Sequence, residues 1–137
     1  MDWDEVVTHL RASYRVGHAT RTWIELWRSL RDGARAIRQQ QTVRIAECHG
    51  ETYYVIEAEI AVPAHARTAL CEAAELSMGT LIDRGDALVA HTQIPGSALT
   101  PAALDLILTA IAREAMRLSM LVWQRLRDVA EAQSDAA

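Results

Sequence analysis

Two acidic side chains, Glu57 and Glu59, fall two residues apart in the stretch 50–62, and His91 lies in a second strand-like stretch, 87–94. If 50–62 is extended, both carboxylates project from one face, an arrangement that general acid–base chemistry can use. Solvated strand faces carry such pairs routinely, however, and no nucleophile, Gly-rich phosphate loop or oxyanion motif accompanies these. The five histidines, His9, His18, His49, His65 and His91, stand at no metal-ligand spacing with another His, Cys, Asp or Glu. His49 beside Cys48 comes closest, yet adjacent side chains on an extended segment point apart. The residues therefore imply no catalytic group, no metal and no cofactor. A small-molecule-binding or catalytic domain that uses Glu57, Glu59 and His91 on a sheet face is the alternative reading.

Surfaces offer more than chemistry does. Trp23 and Trp27 share the mixed face of a strand, and large aromatics bury much area at small entropic cost, which makes them the candidate partner-binding residues. If they are exposed, a sheet edge beside them can accept an extended peptide. Further on, Leu104, Leu108, Ile111, Ala115, Leu118, Val122, Leu126 and Val129 recur at steps of three and four, as on a core-facing helix. Met116, Met120 and Trp123 cluster roughly 100–160° round that helix at 100° per residue. They form a second apolar surface, expected to be a dimer interface.

These surfaces belong to a chain of 137 residues, half of them hydrophobic, which fits one domain with a substantial core. Its formal charge of -4 argues against a general nucleic-acid binder, although an acidic protein can carry a local basic patch. All 14 basic residues are arginine. No signal-like N-terminal run is present, and no apolar run reaches the roughly 18 residues that cross a bilayer. Cys48 and Cys71 have no paired-ligand spacing, so a reduced, cytoplasmic state is expected.

The elements that must position these residues can be read in order. Asp2 followed by Glu5 resembles a capping box, and Trp3, Val6, Val7, Leu10 and Tyr14 then follow helical spacing up to a stop before Gly17. The segment 22–30 reads as a strand with Ile24, Leu26 and Leu30 on one side and Trp23, Glu25 and Trp27 on the other, although a helix also fits the spacing. After the Asp32-Gly33 turn, 36–46 alternates as a second strand. After His49-Gly50-Glu51, the stretch to Val62 alternates as a third. Pro63 opens an alanine-rich helix that Gly79 ends. Segments 80–83 and 87–94 flank Arg84-Gly85-Asp86 as a hairpin. Thr100 and Pro101 then start the last helix, which would overhang its own domain if unbroken: about 30 residues at ~1.5 Å exceed a diameter of ~35 Å. The expected fold is α+β: helix, three-strand antiparallel run, helix, β-hairpin and long C-terminal helix, in one domain over 1–130 with a disordered tail over 131–137.

The wording of Gly50-Glu-Thr-Tyr-Tyr-Val-Ile-Glu-Ala-Glu-Ile-Ala-Val62, the strand 87–94, and Pro95-Gly-Ser-Ala-Leu-Thr-Pro-Ala-Ala-Leu-Asp105 resembles the type III secretion chaperone-like fold, and within it the YbjN-like bacterial proteins. The resemblance runs from about Trp23 to Arg117. It implies a small acidic α+β domain without enzymatic residues, often a homodimer. Chaperone members of the group bind an extended segment of a secreted client along helix and sheet surfaces.

Overall fold

The computed structural model describes residues 1–135. Helix α1, Trp3–Ser13, begins where the Asp2 carboxylate accepts the Glu5 N–H at 2.8 Å, and it buries Val6 and Leu10. Strands β1 (Arg15–Ala19), β2 (Trp23–Asp32), β3 (Arg35–Cys48) and β4 (Glu51–Ile60) follow, then helix α2 (Ala64–Ala73), β5 (Thr80–Asp83) and β6 (Leu88–Pro95). A 3-10 turn at Gly96–Ala98 leads into α3, Pro101–Asp135, whose first turn is capped by the Thr100 hydroxyl accepting the Ala103 N–H at 3.1 Å. Hence α+β architecture holds, with the helix, strand-run, helix, hairpin and long-helix order read from the sequence.

Three boundaries differ for physical reasons. The strand run has a fourth member, β1, which is only 5 residues long and carries a bulge between Val16 and His18, so it has no clean alternation to read. Helix α2 stops at Ala73, short of Gly79, because Ala74 is already extended. Helix α3 continues through Asp135 into the stretch expected to be a tail, and residues 136–137 lie outside the described residues.

All strand pairs are antiparallel, in the order β1-β2-β3-β4-β6-β5. The turn joining β3 to β4 has both central residues at positive φ, His49 at 52° and Gly50 at 78°, as a two-residue type I′ hairpin requires. Ile24, Leu26, Val43, Tyr54, Ile56, Ala58, Ile60, Leu88 and Ala90 all turn to one face, where the helices pack. One core cluster joins α1 to β2, β3 and β4, with Leu104 and Leu108 of α3 closing it. The other sets α2 against β4 and β6 under Ile111, Ala115 and Leu118. Ile107 packs against both clusters, so α3 is the ridge that joins them.

Beyond Leu118 no residue of α3 is buried, and the helix runs on about 25 Å at ~1.5 Å per residue. Leu121 is 56% exposed and Val129 47%. Ser119 and the Trp123 indole both donate to the Ala61 carbonyl, at 2.7 and 2.9 Å, which anchors the first turns of this overhang.

Packing of this kind sets the cost of shortening side chains along α3. Leu108→Ala, at a fully buried position, should destabilise by about 2–5 kcal/mol, whereas Leu106→Ala, two residues away and 67% exposed, should stay within ±0.5 kcal/mol. Chemical denaturation followed by circular dichroism measures both, and equal costs would contradict the assigned helix face.

Candidate functional site

The face of the sheet opposite the helices carries the sequence-selected side chains. Cross-strand neighbours share a face, so the register sets Glu25 (β2), Thr42 (β3), Glu57 (β4), His91 (β6) and Thr80 (β5) in one row across the sheet. Glu57 and His91 are both buried here, although no helix covers them. Their cover comes from the β5–β6 turn, where Arg84 reaches over the sheet and donates to Glu57 Oε2. His91 Nδ1 meets the same oxygen at 2.8 Å, and Gln93 Nε2 stands 3.0 Å from His91 Nε2. With Glu57 ionised, the consistent tautomer donates from Nδ1 to Glu57 and accepts at Nε2 from Gln93. Burial on its own would raise the Glu57 carboxyl, but the hydrogen bonds from Arg84 and His91 outweigh it and hold it below the ordinary glutamate value.

Thus the structure joins two of the three acid–base candidates, Glu57 and His91, by a hydrogen bond, while the exposed Glu59 makes no such bond among the described residues. Both ring nitrogens of His91 are occupied, so the cluster is a satisfied polar network. A shallow cavity of about 180 Å³ beside it is bounded by Gln40, Thr42, Glu57, Glu59 and Arg84, so Glu59 shares a wall with Glu57 without joining its hydrogen bonds. Among the described residues, no three His, Cys, Asp or Glu side chains stand close enough to share a metal ion.

Trp27 is the better placed of the two tryptophans. Its indole lies against Gly17, where an added Cβ would sit 2.6 Å from the ring, and its Nε1 donates to Glu25 at 2.9 Å. The Arg38 guanidinium stacks on the ring, 4.3 Å from its centroid. Trp23 is half-buried at the other end of β2, tilted against His18 at 5.2 Å. The two indoles therefore serve different neighbourhoods.

Trp27 lines a groove of about 250 Å³ whose opposite wall is Met116, Ser119 and Met120 of α3. The groove exists because the sheet forks. Pairing of β3 with β4 ends at Gln41↔Ala58, while β2 and β3 stay paired out to Asp32↔Arg35. At the fork two glutamines point inward from β3: Gln41 Nε2 donates to the Leu108 carbonyl at 2.8 Å and Gln39 Nε2 to the Ala112 carbonyl at 3.1 Å. These clasp β3 to successive turns of α3. Arg28 completes Gln41 by donating to its Oε1 at 3.2 Å, whereas the buried Oε1 of Gln39 meets no donor among the described residues. Trp123 lies further along α3, 45% exposed.

Sequence reasoning missed Gln39, Gln41 and Arg84. The glutamines occupy odd positions between Ile37 and Val43, which is the core-facing register, and a polar residue there is the signal that was available. Arg84 was legible only as a turn residue. Also missed is the Asp105 carboxylate, which accepts from Tyr14 at 2.5 Å and meets His9 at 2.8 Å, tying α1 to α3. Burial, reinforced by the Asp105 hydrogen bond, pushes the Tyr14 hydroxyl up to about 12.

The chain matches no family model, no curated protein and no solved structure.

The carboxylate network gives stability a pH dependence. Because the folded-state pKa of Glu57 is depressed, its contribution is present above the unfolded glutamate value and is lost as pH falls through the folded one. Glu57→Gln should therefore destabilise by about 1.5–3 kcal/mol at pH 7, with the gap to wild type narrowing on acidification. Unfolding titrations of both proteins at several pH values provide the check, and a gap that stays constant into acid would overturn the electrostatic account.

Proposed function

We propose that this chain is a non-enzymatic, cytoplasmic protein-binding domain of the type III secretion chaperone-like or YbjN-like kind, and that it acts as a homodimer. The observation that carries this reading is the forked-sheet groove, where Trp27 from the open face and Met116 with Met120 from α3 form one apolar cleft. An aromatic ring opposite two adaptable thioethers is a surface suited to a partner's side chains. The polar network around Glu57 supports the non-enzymatic half, since its hydrogen-bonding groups are spent on one another. Cys48 and Cys71 are both free thiols, in keeping with a reducing compartment. Among the described residues no helix is long and apolar enough to cross a membrane.

For self-association, expected at Met116, Met120 and Trp123, we keep Trp123 and move the rest to the distal part of α3, because Met116 and Met120 line the groove. Val122, Leu126 and Val129 continue the core-facing stripe beyond Leu118, where the sheet no longer covers it. Trp123 flanks that stripe, while Met116 and Met120 face the groove. Charge favours an antiparallel pair of such segments: Arg125 and Arg127 precede Asp128, Glu131 and Asp135, so reversal sets opposite signs side by side.

Size-exclusion chromatography with light scattering, run at several concentrations, should find a mass near twice 15.2 kDa. Leu126→Glu with Val129→Glu should yield a folded monomer, and Met116→Glu with Met120→Glu a folded dimer that no longer binds partner peptide. A wild-type monomer at every concentration would remove the dimer from this reading, and a groove variant that still binds would remove the groove.

A further inference from the structure

In the arm built from the far halves of β2 and β3 each strand pairs only with the other, because β1 stops at Arg15↔Trp27 and β4 at Gln41↔Ala58; the groove lies along the β3 edge. From Arg35 to Gln40, about 20 Å of strand at ~3.3 Å per residue, β3 has β2 on one side and no strand on the other. Every second residue of a strand turns its N–H and C=O to the same side, so this lane presents a row of donors and acceptors. Soluble proteins ordinarily blunt or cover an edge of this length. The lane continues the one that β4 leaves at its end, and the groove opens along it.

What fits there is constrained from three directions. On the helix side the wall is apolar: Ile37, Met116 and Met120. On the open side the arm is basic, with Arg31 and Arg38 exposed, Arg35 at the tip and Asp32 the one acid among them. Among the described residues none of these arginines forms an ion pair, in a chain whose net charge is -4. Between the walls lies Gln39, 6% exposed, whose Oε1 is an acceptor without a donor. A buried acceptor in that state costs free energy unless something in the groove supplies the hydrogen bond.

We propose that the free edge of β3, Arg35 to Gln40, receives an extended segment of a partner protein as an added strand. Its alternate side chains are apolar toward Met116 and Met120 and acidic toward Arg31 and Arg38. Glu59, exposed at the inner end of the lane, confines the acidic side chains to the end nearer the tip. The inference rests on the groove reading above and adds to it the chemistry of the occupant. Backbone pairing supplies affinity in this mode, and the two walls supply selectivity.

The test is selection of a random displayed-peptide library against the full chain, followed by anisotropy titration of the enriched peptides as synthetic, labelled probes. The expected peptides alternate apolar residues with Asp or Glu, and their affinity falls by about tenfold or more with Arg31→Glu and Arg38→Glu, both surface positions. N-methylation of alternate backbone amides in the probe should weaken binding at least as much, a measurement that leaves the protein unaltered. Probes that depend on Met116 and Met120 but tolerate N-methylation and the arginine reversals would overturn strand addition and leave the groove standing. Failure of any peptide to enrich, or probes indifferent to both walls, would overturn both. Tighter binding of a single-stranded oligonucleotide at the same arginines would assign the arm to nucleic acid and overturn the proposal.

Discussion

The stripe Leu104, Leu108, Ile111, Ala115 and Leu118 is where α3 meets the sheet, and the other elements are placed by reference to it. It faces residues from β4 and β6, closes the cluster that holds α1, and closes the one that holds α2. Hydrophobic burial of this kind is strong but non-directional. Direction comes from Gln39 and Gln41, whose amides donate to carbonyls one helical turn apart, and so set the register of α3 along β3. A slide of the helix by one residue would leave both amides buried without acceptors, at about 1–3 kcal/mol each.

With all three helices on one side, the other face of the sheet has to cover itself. It does so with charge. Arg84 folds over Glu57, His91 closes the same oxygen from the adjacent strand, and Gln93 caps His91. Glu57 and His91 are buried because the exposed side chains of Arg84 and Gln93 lie over them, which is how a face without a second layer can hold an ionised carboxylate at low exposure. Away from this patch the face stays open, and Trp27 is held there by Gly17 beneath and Arg38 above.

How much of this the sequence disclosed follows from which signals are local. The alternation in 36–46 and 51–62, the Asp2 and Thr100 caps and the stripe of α3 are local patterns, and they led to the α+β order and to the overhang. Strand β1 was missed because five bulged residues carry no period. The site was half legible. Trp27, Met116 and Met120 were singled out, but on two unrelated surfaces, since nothing in the spacing says that β3 parts from β4 after Gln41. The meeting of Glu57 with His91, 34 positions away, is likewise set by strand register, and its meeting with Arg84, 27 positions away, by the path of the β5–β6 turn.

The two ends of the molecule are built to different standards, and the contrast explains where a partner would act. Around α1 the core is made of large side chains, Leu10, Ile24, Leu26, Tyr54 and Leu108 among them, and its rim is closed by Asp105 with Tyr14 and His9. Toward the fork the core thins to Ala58, Ala90 and Ala115 beside Ile60, Leu88, Ile111 and Leu118. Less apolar area is buried per residue there, so local opening at that end costs less than at the other. The half-satisfied Gln39, the unpaired edge of β3 and the uncovered stripe of α3 all lie on that weaker side. A strand added in the fork would extend the sheet across the thin cluster, so binding and local stabilisation there are the same event.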